Sequence, residues 1–153
     1  MTMKCFRLVF LCSLLIGTIT ACKKDDSGPA APPIAAGTVN EVESNDQTAQ
    51  ALGALGTTDI TVIGSTSTAN DIDKYAIILG ATTNLHADIT WAGGGDVGVG
   101  IMNPAGIMLT FRNTGVSPRG CTLSVPAGAY TIYVNANGAA GFPQGYSLKI
   151  GPR

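Results

Sequence analysis

Six carboxylate- and amide-bearing residues stand in two short stretches of a chain in which only 12% of residues are charged. Glu41, Glu43, Asn45 and Asp46 fall within six consecutive positions, and Asp71 and Asp73 open the later run Asp-Ile-Asp-Lys-Tyr. Side chains one residue apart on extended backbone project from the same side, so Asp71 and Asp73 form a pair. Brought together, the two stretches would offer five carboxylates with neutral oxygens beside them. Such a set repels itself, and burying any member unpaired is costly. Calcium resolves both problems, because it takes six to eight hard oxygen ligands in irregular geometry. One Ca2+ leaves three negative charges uncompensated and two leave one, so the count favours two ions unless some of these acids face solvent. The spacing is not that of an EF-hand loop, which needs its acids at alternate positions of one stretch around a central glycine. Magnesium suits the set less well, since it keeps its water and takes few protein carboxylates.

Other chemistries find little support. The single histidine, His86, sits beside Asp88 on what alternation makes the solvent face of a strand, and no serine lies in a Gly-x-Ser-x-Gly context. Without a nucleophile and base, the expected role is not enzymatic. From residue 38 onward there are eight acids and five bases, an excess of three negative charges with no basic stripe, which excludes nucleic acid as a natural partner. Cys121 is the only cysteine of that part, so it contains no internal disulfide; alternation with Leu123 and Val125 makes it a small buried hydrophobe.

The elements that must position these residues are strands. After a short stretch at Asp46–Leu52 with some helical character, eight runs rich in Val, Ile, Thr and Tyr are bounded by Gly, Asn and Pro: 59–64, 73–79, 84–91, 96–103, 106–111, 121–125, 129–136 and 146–150. Eight short strands without a long helix predict an all-β fold, a jelly-roll-like antiparallel β-sandwich. Period-two alternation sends Leu85, Ala87, Ile89 and Trp91 to the core, with Tyr130, Ile132 and Val134. It leaves Tyr133 facing outward as a candidate binding face.

The first 21 residues read as a signal peptide: Lys4 and Arg7 precede an apolar run from Leu8 to Ile19 that is short for a bilayer span. It ends in Ile-Thr-Ala-Cys, which resembles the lipobox of bacterial lipoproteins and marks Cys22 for lipidation. Residues 22–37, rich in Pro, Ala and Gly, read as a flexible tether, and 38–153 as one folded domain. The expected location is the bacterial cell envelope, lipid-anchored on the outer membrane, with an inner or periplasm-facing placement as the alternative. Cys-Lys-Lys-Asp-Asp resembles the signals that send lipoproteins of the Bacteroidetes to the cell surface.

The order Glu-x-Glu-x-Asn-Asp, then Gly64-Ser65, Asp-Ile-Asp-Lys-Tyr, DVGVGIMNPAGIML, VPAGAYTIYV and GYSLKI resembles the bacterial pre-peptidase C-terminal domain, from about residue 40 to 151. The resemblance implies a non-catalytic jelly-roll-like sandwich, and in the family's calcium-binding members the acidic N-terminal segment folds back around the metal. It assigns Glu41, Glu43, Asn45, Asp46, Asp71 and Asp73 as ligands, with a carbonyl from Gly64 and a hydroxyl from Ser65. Two features depart from the family. No catalytic module precedes the domain here, and the aromatic-rich face of the collagen-binding members is missing, so collagen binding does not carry over. The expected role is a binding or accessory module for an extracellular protein or polysaccharide; a structural spacer without a ligand is the alternative.

Overall fold

The computed structural model describes residues 36–137 and 141–153. The stretch read as a signal peptide, 1–21, with Cys22 and the stretch read as a tether as far as residue 35, lies outside the described residues. The domain is built of ten strands: β1 Gly37–Asn40, β2 Gln50–Ala54, β3 Ile60–Thr66, β4 Ile72–Leu79, β5 Thr83–Trp91, β6 Val97–Met102, β7 Met108–Arg112, β8 Arg119–Val125, β9 Gly128–Ala136 and β10 Gln144–Pro152. β3 to β10 coincide with the eight runs expected from alternation. The two additional strands are β1 and β2. β1 takes up residues 37 to 40, so its first residue, Gly37, belongs to the segment read as tether. The stretch at 46–52 is not helical; it bends and then enters β2.

Two five-stranded sheets result, in the orders β1-β3-β10-β5-β8 and β2-β4-β9-β6-β7. All internal pairings are antiparallel, whereas β1 and β2 add in parallel to the edges formed by β3 and β4. A parallel neighbour cannot be reached through a tight hairpin. Because β1 and β2 belong to different sheets, the residues between them cross from the edge of one to the edge of the other.

Inward residues of both sheets form one core, including Val62, Tyr75, Ile77, Leu85, Ile89, Val99, Ile101, Ile132, Val134, Leu148 and Ile150. Each comes from the apolar half of an alternating strand, as two packed sheets require. Cys121 belongs to the same core, and burial pushes its thiol up to about 11, which suits packing rather than reactivity. Trp91 departs from its expected place. At the end of β5 it is half-buried, its indole N–H donates to the Gly95 carbonyl at 2.7 Å, and the Arg119 guanidinium lies 5.0 Å from its ring centre. Arg119 is buried and donates to the Val97 carbonyl at 2.6 Å, linking β8 to β6 across the sandwich.

Candidate metal centre

β4 carries an acid where its pattern demands a hydrophobe. Asp73 shares the inward register of Tyr75, Ile77 and Leu79 and is fully buried, while Asp71, two residues earlier, is 6% exposed. Both acids therefore point into the mouth of the sandwich, as the alternation of the Asp-Ile-Asp run requires. The crossing segment after β1 supplies the rest. The Glu41 amide prolongs the β1–β3 ladder by donating to the Ile63 carbonyl at 2.9 Å. Gln50 then holds the loop shut, its Nε2 donating to the Asn40 carbonyl at 3.1 Å and its Oε1 accepting from the Val42 amide at 2.9 Å.

Two tyrosine hydroxyls organise the acids. Tyr75 Oη donates to Glu41 Oε1 at 2.7 Å, and Tyr146 Oη donates to Asp73 Oδ2 at 2.7 Å, the hydroxyls lying 2.5 Å apart. Glu41 Oε2 accepts from the Ser65 amide at 2.7 Å, and Asn45 Nδ2 donates to Glu41 Oε1 at 3.2 Å. Asp71 accepts from the amides of Ser67 and Ile72. Lys74 Nζ donates to the backbone oxygen of Asp46. Among the described residues, two buried oxygens of this cluster have no partner: Oδ1 of Asp73 and Oδ1 of Asn45.

One carboxylate oxygen each from Glu41, Glu43 and Asp73 lie within 4.8 Å of one another, and the same holds for Asp46, Asp71 and Asp73. Asp73 belongs to both triads. Burial, reinforced by the charges of Glu41 and Asp71 and only partly offset by the Tyr146 hydrogen bond, pushes Asp73 well above the usual carboxylate range, to about 8. Burial, then the charges of Glu41, Asp71 and Asp46, also raises Glu43. The tyrosines are raised as well, chiefly by burial, so both hydroxyls keep their protons and remain donors. The donor set fits a hard cation: it consists of oxygens alone, it is crowded with like charge, and two of its buried oxygens lack a donor.

The six acid and amide residues picked out in the sequence thus converge. Gly64 and Ser65 come with them, in different ways. Ser65 touches Glu41 through its backbone amide. Gly64 makes room: a Cβ there would lie 2.6 Å from the Tyr146 ring and 3.0 Å from Glu41 Oε2. Tyr133 is not part of this assembly. It lies on the outward register of β9, half-buried, with its ring 5.9 Å from that of Phe111 at an edge-on 71°. Tyr75 and Tyr146 were the residues missed. Inward tyrosines at strand ends beside buried acids were the available signal, since a buried phenol needs a hydrogen-bond partner.

His86 requires a correction. It occupies the outward register expected, yet it is 4% exposed, because the side chains of Asp59 and Asp88 close over it. Burial lowers its proton affinity, against the opposing pull of Asp88 and Asp59.

No family model matches the sequence, and no curated protein does so. Among solved structures, the chain is similar to the pre-peptidase C-terminal domain of a collagenase from Bacillus anthracis, with 14% identity and a TM-score of 0.53 over 71% of this chain and all of that one. It is also similar, with 18% identity and a TM-score of 0.45 over 76% of this chain and 96% of the other, to PliG from Aeromonas hydrophila, a periplasmic inhibitor of g-type lysozyme. At these identities the likeness speaks for architecture. The sandwich described here has the fold of a pre-peptidase C-terminal domain.

Proposed function

We propose that the protein is a non-catalytic, calcium-binding β-sandwich, lipid-anchored through Cys22 at the bacterial cell envelope, where it serves as a binding or accessory module. The observation that carries the calcium reading is Asp73: a fully buried acid, shared by two triads of carboxylates, with one oxygen unpartnered. Two triads meeting at one residue favour two ions over one, in line with the charge count. Glu41, Glu43 and Asp73 would hold one, and Asp46, Asp71 and Asp73 the other, with Asn45 Oδ1 as a neutral donor. Bound calcium would supply positive charge at the mouth and join the crossing segment to β4. Tyr75 and Tyr146 keep Glu41 and Asp73 oriented in either case. The accessory role rests on the architecture and on the acids, which form a ligand set rather than an acid–base pair. Outer-membrane placement, with a protein or polysaccharide partner, is the reading of the leader and of the outward face bearing Tyr133.

The melting temperature in excess calcium, in chelator and in magnesium tests the metal. Binding to the native state alone adds about 2.7 kcal/mol at a hundredfold excess over Kd, a rise of several degrees in a domain of this size. An equal melting temperature in calcium and chelator overturns the reading.

A further inference from the structure

A second charged array lies on the outer face of the β1-β3-β10-β5-β8 sheet. His86 Nε2 is 3.1 Å from Asp59 Oδ1, just ahead of β3, and Nδ1 is 3.5 Å from Asp88 Oδ2 on β5. Arg153, following β10, places Nη2 2.5 Å from that same Asp88 Oδ2. The flanking strands leave room for these side chains by carrying glycine. A Cβ on Gly151 of β10 would fall 1.9 Å from Asp59 Oδ1 and 3.0 Å from His86 Nε2, and one on Gly120 of β8 would fall 2.0 Å from Asp88 Oδ1. Lys149 of β10, opposite Asp88, is the remaining charged neighbour, and β8 contributes the uncharged Gly120 and Thr122.

A neutral imidazole has one N–H to give. The shorter contact assigns it to Nε2, donating to Asp59. Nδ1 then turns a lone pair towards Asp88, which explains its longer separation and leaves that carboxylate to Arg153. We propose that His86 and Arg153 compete for Asp88: a proton taken from solvent at His86 Nδ1 makes the ring a donor to Asp88 Oδ2 and displaces the Arg153 guanidinium, so that acid loosens the side chain following β10. Burial favours the neutral ring, so the exchange belongs to the acid side of the ordinary histidine range. The Arg153 amide keeps its own bond to the Asn84 carbonyl at 2.8 Å, so the guanidinium moves and the strand does not.

Nitrogen-detected NMR of the full chain across pH 5 to 8 tests this. The expected result is that His86 Nδ1 gains its proton with the same midpoint at which solvent exchange of the Arg153 Nε–H speeds up severalfold relative to His86→Gln. A second variant guards against misfolding of the first. In Arg153→Gln, an exposed change, the His86 midpoint should rise by about half a pH unit, the scale of one partly exposed ion pair. The proposal is overturned by an Arg153 exchange profile identical in the two proteins, or by a His86 midpoint unmoved in Arg153→Gln.

Discussion

Around Asp73 five carboxylates gather, and the one ammonium beside them, Lys74 Nζ, is bonded to the backbone oxygen of Asp46. Among the described residues no Lys, Arg or His forms an ion pair with any of the five. Around His86 the acids are balanced by partners instead: Asp59 faces the imidazole N–H and Asp88 the Arg153 guanidinium, and both carboxylates are one-third exposed or more. The difference is one of register. Asp73 occupies the inward register of its strand and cannot be hydrated, whereas Asp59 and Asp88 stand on an outer face and are solvated and paired. A carboxylate cluster therefore calls for neutralisation, by a proton or by an external cation, only where the strand's alternation drives it inside.

The largest expected effect separates the two clusters by their response to calcium. Asp73→Asn keeps the shape of the side chain and an acceptor for Tyr146, and removes the charge shared by both triads. It should abolish the calcium-dependent rise, a loss of about 2.7 kcal/mol at a hundredfold excess of ion over Kd. In chelator the same variant should melt no lower than the parent, because an acid that must take up a proton on folding has been replaced by a neutral amide. Differential scanning calorimetry in both buffers reads the two outcomes. A loss of equal size in chelator would make Asp73 a packing residue and dissolve the contrast.

Next comes Gly64→Ala. The added methyl meets the Tyr146 ring at 2.6 Å, so the tyrosine or β3 must shift, at a cost of about 1–3 kcal/mol in denaturant titration, with or without calcium. Gly151→Ala makes the counter-test on the balanced side. Its nominal clash is with Asp59 Oδ1 at 1.9 Å, the end of a partly exposed side chain that can swing away, and the loss should be smaller.

A pH series in chelator follows. Asp73 keeps its proton in the native state to about pH 8 and releases it near pH 4 when unfolded. The native state therefore binds more protons across this window, and stability should fall as pH rises from about 4 to 8 and level off above. Glu43, raised in the same direction, adds to the slope. Excess calcium should reverse the trend, since ion binding needs the carboxylates unprotonated. Urea midpoints at several pH values, with and without calcium, test both signs.

Much of this was legible in the sequence. Alternation located β3 to β10, because a half-buried strand writes its two faces into consecutive residues. It missed β1 and β2, which add at the two edges as short parallel strands: Gly-Thr-Val-Asn and Gln-Ala-Leu-Gly-Ala bury little and hardly alternate. The acids of the mouth were visible as a set, since their density is out of scale with the rest of the chain. Tyr75 and Tyr146 were not, because a strand tyrosine reads as core until its hydroxyl's partner is known. His86 was misjudged for a related reason. Register names the face a side chain leaves from, while its burial here depends on Asp59, far away in sequence, and on glycines in two neighbouring strands.

The smallest expected effect sharpens the comparison from the balanced side. Asp59→Asn removes one carboxylate from the outer array and keeps an oxygen to accept the His86 N–H. Asp59 is 43% exposed on its side chain, so its charge interaction is screened and the loss in stability should stay within about 0.5 kcal/mol. Calcium should leave that difference unchanged, because each outer carboxylate already has a partner of its own in His86 or Arg153. A calcium-dependent loss in Asp59→Asn would mean that the outer carboxylates also recruit an ion, and register would then no longer separate acids that need a metal from acids that do not.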